Sequence, residues 1–420
     1  MTAPAAGQRP LDAGLVAALM PLIGGQLCIH GSMAGLRLAL PLWALDRQLS
    51  AWSVGVLLAL FAAAPIVTAL HAGRLADRHG YHRPMRIAVG LTVLGALLAG
   101  GAVGVAAPAE LPVTAVFVAL CAAAVLSGAG ANCGLIAIQR TAGRTAASQA
   151  KAQGDEPATA LKRVFSWLGL APSLANMLGA FLGGVLIDSV GFTGAFAVLA
   201  LWPLAALAWA RRVPRESPEA RAAARAQPRR PLWASAVELS ATPGLRRLLF
   251  VNWLLSTSWD VHAFLVPILG HARGLSATAI GTILAVFGAA VSGVRLLIPL
   301  LAHRMREAQV LAVSMLVVAA VFALYPMAQT AWTMSACAVV LGLALGVVQP
   351  MIMSTLHQLT PHERHGEAIA LRSMTINVSS TLMPLSFGIV GTVLGAAGLF
   401  WLMAAMVGAG SWAARRLQAQ

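Results

Sequence analysis

Twelve apolar stretches follow one another along this chain, near residues 14–40, 52–72, 85–107, 113–138, 164–187, 191–211, 245–268, 277–301, 309–328, 333–356, 367–391 and 393–414. Each reaches the length of about 20 residues that a helix needs to cross the hydrocarbon of a bilayer. Lipid offers no partner to a free backbone N–H or C=O, so a segment of this kind has to satisfy its own backbone as a helix. Composition agrees, with 59% of residues hydrophobic, only 10% charged and a mean hydropathy of +0.79. The expected fold is an all-α polytopic membrane protein of twelve transmembrane helices, with the lipid bilayer as its solvent.

The formal charge of +15 raises the question of a nucleic-acid partner, which is answered by where the charges fall. Twenty-four Lys and Arg, Arg74, Arg86, Arg144, Lys151, Lys162, Arg163, Arg304 and Arg364 among them, lie at chain ends and loops that alternation puts on one side. Arg47 and Arg273 alone lie in loops of the other side. The positive-inside rule produces this asymmetry and places both termini in the cytoplasm. Basicity therefore follows from topology, and no nucleic acid is expected.

Cys28, Cys121, Cys133 and Cys337 all fall inside apolar spans without metal-ligand spacing, so neither a disulfide nor a zinc site is expected. No cofactor is implied. The first apolar stretch runs longer than a signal-peptide core and continues through His30 and Arg37, so it reads as a retained span.

The chain also repeats itself. A shift of 226 positions aligns Pro41 with Pro267, Ser50 with Ser276, Gly55 with Gly281, Phe61 with Phe287 and Arg78 with Arg304. A shift of 204 aligns Ala180 with Pro384, Gly184 with Gly388, Gly191 with Gly395 and Phe196 with Phe400. Residues 212–244 are rich in Arg, Ala and Pro and lack a long apolar run. The expected organisation is a six-helix bundle over 1–211, a cytoplasmic linker over 212–244 and a second six-helix bundle over 245–420, with a site between the halves.

Between the second and third spans stands Gly73-Arg74-Leu75-Ala76-Asp77-Arg78-His79-Gly80-Tyr81-His82-Arg83-Pro84. This segment resembles the signature loop of the major facilitator superfamily (MFS). Gly73 suits close helix approach, Asp77 can accept from a helix N-terminus or an arginine, and Gly80 suits a tight turn. The family pattern has basic residues directly after the second glycine, whereas here Tyr81 and His82 precede Arg83. In the fifth span Gly179-Ala180-Phe181-Leu182-Gly183-Gly184 is similar to the family's antiporter motif, with Ala180 in place of its proline. The resemblance extends over the whole chain. It implies a monomeric secondary transporter of the bacterial inner membrane that carries a small solute by alternating access, with Gly73, Asp77, Arg78, Gly80 and Arg83 as a conformational lock.

Ionisable groups within a span are costly unless they meet a partner or a watery cavity. Asp260, about twelve residues or roughly 18 Å into the seventh span, is the carboxylate deepest in a span. An acid in a dry setting keeps its proton and one beside an arginine releases it, so Asp260 is the first proton-coupling candidate. His30 and His262 are the second and third. Arg37, Arg295 and Arg372 cannot discharge themselves and outnumber Asp260, which favours an anionic or zwitterionic cargo. Asn132, Asn176, Gln349, Asn377 and Trp259 are further candidates for the cavity wall. Trp43 reads as an interfacial belt residue, while Trp253 and Trp401 suit either setting.

Three functions fit. The first is proton-coupled export of a small organic compound. The second is proton-coupled uptake of an anionic nutrient or siderophore. The third, a non-transporting membrane sensor or enzyme, lacks a metal cluster, nucleophile elbow or phosphate loop in this sequence.

Overall fold

A computed structural model describes residues 13–106, 111–153, 164, 168–215, 243–301, 306–360 and 365–418. The expected linker over 212–244 falls almost wholly outside them, as do Lys162, Arg163, Arg304 and Arg364. All regular structure among the described residues is helical. In chain order, α1 spans Ala13–Asp46, α2 Ala51–His79, α3 His82–Ala106, α4 Val113–Gln153, α5 Leu170–Leu201 and α6 Ala205–Ala210. The remainder comprises α7 Pro243–Ala272, α8 Ala277–Leu301, α9 Glu307–Leu324, α10 Ala331–Gly346, α11 Val348–Leu359 and α12 His365–Arg415.

Nine described stretches are long and apolar enough to cross a bilayer. Two of them, Leu170–Ala210 and Leu371–Arg415, contain a non-helical glycine, Gly191 and Gly395. The chain reverses at the first of these. Gly35 of α1 packs against Gly179 before the break and Leu199 after it. Each of the two stretches therefore carries two spans, and α7 completes the twelve. α7 is less apolar than the others because Asn252, Thr257, Ser258, Asp260 and His262 lie along it. All five are buried, as polar groups in a span must be.

Apolar side chains form two cores. Leu36, Met85, Leu120 and Phe196 belong to one, built from α1–α6. Leu254, Phe264, Met315 and Phe400 belong to the other, built mainly from α7–α12. These are the two six-helix bundles. α1 begins and α12 ends on one face of the protein, the terminal face, while the α1–α2 and α7–α8 turns lie on the opposite face.

The repeat read from sequence is carried into backbone geometry. Gly191 has φ 69°, ψ 177° and Gly395 has φ 68°, ψ 175°, a conformation that a side chain disfavours. A Cβ on Gly55 would lie 3.2 Å from the carbonyl carbon of Pro384 and 3.4 Å from Gly388 Cα. One on Gly281 would lie 3.2 Å from the carbonyl carbon of Ala180 and 3.4 Å from Gly184 Cα. The α2–α12 and α5–α8 crossings, which join the two bundles, are thus copies of one another. Small residues let the backbones meet where lipid supplies no hydrophobic drive for association.

Candidate functional site

The fifth-span glycines divide their work by face. Gly179 and Gly183 turn toward α1, where a Cβ on Gly179 would meet Ala34 Cβ at 2.7 Å and Gly35 N at 3.0 Å. Ala180 and Gly184 turn toward α8. The segment resembling an antiporter motif is therefore the shared wall of two helix crossings.

The signature loop closes α2. Gly80 caps it with φ 69° and donates its N–H to Ala76 O at 2.9 Å. Arg140 Nε of α4 donates to Asp77 Oδ1 at 3.1 Å. Arg83 Nη1 donates to His79 Nε2 at 2.7 Å, which fixes His79 as the Nδ1–H tautomer facing Leu75 O. Tyr81, which stands where the family pattern has a basic residue, is 2% exposed and reaches under α1 at Gly25. Gly73 departs from expectation, because a Cβ there would have no neighbour within 4 Å. The close approaches lie instead at Gly55, Gly179 and Gly184.

The intramembrane charges form two groups. The first joins three helices. Arg37 Nη2 of α1 lies 3.8 Å from Asp260 Oδ1 of α7, with the Arg37 side chain 27% exposed and that of Asp260 6%. Ser380 Oγ of α12 donates to Asp260 Oδ2 at 2.9 Å. Arg37 and Asp260 belong to different bundles, so the pair bridges the line along which the bundles meet. Asp260 sits just past the middle of the thirty residues of α7.

The second group lies nearer the terminal face. Arg295 of α8 donates from Nη1 to Ser173 Oγ of α5 at 2.9 Å and from Nη2 to Gln349 Oε1 of α11 at 3.2 Å. Arg372 of α12 is 9% exposed and donates from Nε to Asn252 Oδ1 of α7 at 3.1 Å. Arg295 reaches α11 through Gln349, and α11 packs against both α7 and α12, so the two arginines stand on neighbouring helices. Among the described residues neither makes an ion pair.

Three polar rungs tie α7 to α12: Asn252 to Arg372, the hydroxyls of Thr257 and Ser379 at 3.0 Å, and Asp260 to Ser380. Asn252, Thr257, Ser379 and Ser380 were not singled out by sequence reasoning. Their signal is the near-constant separation of about 120 residues between polar positions of two spans that run in the same direction.

The other expected site residues lie apart. His262 Nε2 is 3.3 Å from the Tyr325 hydroxyl, and its ring lies 4.4 Å from that of Phe287. Two positions along a helix are about 200° around it, so His262 and Asp260 point away from each other. His30 makes a 3.2 Å bond with Gln26 within α1. Asn132 Nδ2 donates to Pro65 O of α2 at 3.4 Å. Trp259 packs edge-on against Phe287 at 4.6 Å, and Asn377 is exposed on α12. Trp43 is 2% exposed, so it belongs to the core of the first bundle and not to a lipid-facing belt. Trp401 is 54% exposed and donates to Ala323 O.

A further cross-bundle contact was invisible in sequence. Asp188, near the end of the fifth span, accepts from the backbone N–H of Ala277 at 3.1 Å and of Thr278 at 2.7 Å. It thereby caps α8 from the other bundle.

Comparison with known proteins follows the same lines. The family model described as Major Facilitator Superfamily matches residues 22–247 and again 248–418. No curated protein matches the sequence. Among solved structures, a D-xylose–proton symporter is similar at 13% identity, with 96% of each chain covered and a TM-score of 0.71. A POT family transporter in complex with 5-aminolevulinic acid is similar at 13% identity, with 94% of each chain covered and a TM-score of 0.68. A POT family transporter bound to a thioalcohol-conjugated peptide is similar at 12% identity, with 94% of each chain covered and a TM-score of 0.69.

Proposed function

The chain belongs to the major facilitator superfamily, and from that premise we propose that it couples the movement of a small anionic or zwitterionic organic solute to protons, in the direction of export. The reading places it as a monomer in a bacterial inner membrane with both termini cytoplasmic, two bundles over 1–211 and 245–420, and a linker between them.

One observation carries the proton assignment: Asp260, a buried carboxylate, is held by an arginine from the other bundle and a hydroxyl from its own. While the bundles meet at this point, Arg37 stabilises the ionised acid. When they part on the way to the other-facing state, Arg37 leaves with the first bundle and Asp260 loses its counter-ion. A carboxylate stranded in a poorly hydrated wall takes up a proton, and reunion with Arg37 expels it. Rocking and protonation become one equilibrium, which is what coupling requires.

Export rests on the resemblance of the fifth-span segment to the antiporter motif, whose proline is replaced here by Ala180. Uptake of an anionic nutrient or siderophore is the second reading, favoured by the arginines Arg295 and Arg372 without ion-pair partners among the described residues.

The test is transport in proteoliposomes under an imposed pH gradient, with anionic and cationic compounds supplied on either side. Wild type should accumulate an anion or zwitterion only with the gradient. Asp260→Asn should lose accumulation and keep exchange. A mutant that accumulates normally would make Asp260 structural and remove the mechanism.

A further inference from the structure

The two groups of intramembrane charge do different work, and this distinction deepens the reading above, on which it rests. Arg37 already has an anion. Arg295 and Arg372 have only neutral partners among the described residues: Ser173, Gln349 and the Gly346 carbonyl for the first, Asn252 for the second. A buried guanidinium such as that of Arg372, and a half-buried one such as that of Arg295, are costly to hold inside a span with no anion beside them.

The geometry leaves donors for such a guest. Arg372 is nine-tenths buried and, among the described residues, bonds only through Nε, which leaves the fork of its two terminal nitrogens unspent there. Asn252 is 1% exposed, and its Nδ2 has no hydrogen-bond partner among the described residues. A buried amide donor without an acceptor costs about 1–3 kcal/mol, and here it stands on the residue that aims Arg372. Arg295 is committed to a hydroxyl and an amide oxygen. These, like the Gly346 carbonyl, are weaker acceptors than an anion, which adds ion pairing and can take two parallel N–H bonds from one guanidinium.

We propose that Arg372 and Arg295 hold the acidic group of the transported solute, a carboxylate, sulfonate or phosphate oxygen cluster, in a cleft between α7, α8, α11 and α12, and that Arg37 takes no part in holding it. Asn252 both positions Arg372 through its Oδ1 and offers its free Nδ2–H to the guest. Because Arg295 also bonds Ser173 of the other bundle, a bound anion competes with that link. Occupancy of the cleft therefore loosens one tie between the bundles. The proton site and the anion site are separate, and each lies against the line where the halves meet.

The experiment uses the full-length protein in detergent and measures the unfolding midpoint against added benzenesulfonate or inorganic phosphate at constant ionic strength, with benzenesulfonamide as the uncharged control. No proton gradient is involved, so failure of coupling and failure of the anion site are read separately. Benzenesulfonate or phosphate should raise the midpoint of wild type and of Arg37→Gln with apparent affinities that agree within about two-fold, and the sulfonamide should not. Arg372→Gln and Arg295→Gln should each weaken the anion by roughly ten-fold or more, the scale of losing one charge-assisted contact. Should either fail to fold, Asn252→Asp places a carboxylate of the protein's own against Arg372. That variant should be folded and blind to both anions. The proposal is overturned if neither anion shifts wild type, if Arg37→Gln loses the response, or if Arg372→Gln and Asn252→Asp both retain it.

Discussion

The α1–α5 crossing of the first bundle and the α7–α12 crossing of the second occupy equivalent places in the repeat, yet they are built from opposite materials. In the first, Gly31, Gly35, Gly179 and Gly183 bring two backbones together with almost no side chain between them. In the second, hydrogen-bonding side chains meet across the crossing: Asn252 with Arg372, Thr257 with Ser379, and Asp260 with Ser380. The 226 shift places Gly31 under Thr257 and Ala34 under Asp260. One copy of the repeated crossing is close-packed, while the other is lined with hydrogen-bonded side chains. The lesson is that duplication preserved the geometry of the helices and left the two interiors free to diverge. Buried polar and charged side chains therefore concentrate in the second bundle, and Arg37 is the first bundle's contribution to the pair with Asp260.

The comparison can be broken at four points. The largest effect is expected at the ion pair. Arg37→Ala leaves Asp260 buried without its counter-ion and should cost about 3 kcal/mol, read as a lowered unfolding midpoint in detergent at neutral pH. Adding Asp260→Asn should restore most of that loss. A double variant no more stable than Arg37→Ala would mean that the two charges are not coupled.

Next comes the glycine wall. Gly179→Ala drives a methyl into Ala34 and the α1 backbone and should cost about 2 kcal/mol by overpacking. Alanine at Gly73, where nothing lies within 4 Å, should be close to neutral in the same unfolding assay. Equal effects at the two positions would deny that the crossing is what the glycines serve.

A polar rung should be worth less. Thr257→Val strands the Ser379 hydroxyl at a cost of about 1 kcal/mol, and Ser379→Ala on top of it should recover part of the loss because no orphan remains. If the double change costs the sum of the two single changes, the rung is not a bonded pair.

The smallest effect tests the symmetry directly. Asp188 caps α8, and its repeat equivalent, Thr392, instead donates to Ile389 O at 2.6 Å in its own helix. Thr392→Asp should supply the missing cap at the start of α2 and raise stability by about 0.5 kcal/mol. Destabilisation would show that the two crossings differ at their ends as well as in their interiors.

Much of the fold was legible because lipid imposes a rule that sequence cannot evade. Span lengths, the 226 and 204 shifts and the Gly73–Pro84 segment each point to two six-helix bundles. Gly191 and Gly395 were aligned by the shift, but their positive φ emerged only in three dimensions. The sites were less legible. That Arg37 meets Asp260 depends on how the two bundles dock, which no local pattern encodes. Asp188 is the plainest case, since its partners are backbone N–H groups and leave no trace in side-chain identity. His262 stands two residues from Asp260 but faces Tyr325 and Phe287, because a helix sends residues two apart to opposite sides. Trp43 misled by composition: a tryptophan near a span end reads as a belt residue until the neighbouring helices are seen to cover it.

The reversals at Gly191 and Gly395 carry a mechanical consequence. Each joins two spans with no intervening loop, so the legs on either side have no slack between them and tilt together as one lever. A shift of the fifth span against α8 is delivered at once to the sixth span, whose Val198, Leu201 and Leu204 are exposed where the acyl chains would lie. The same holds after Gly395. Each transport stroke thus works against the surrounding lipid as well as against the solute, and the thickness and lateral pressure of the bilayer become part of the load the carrier moves.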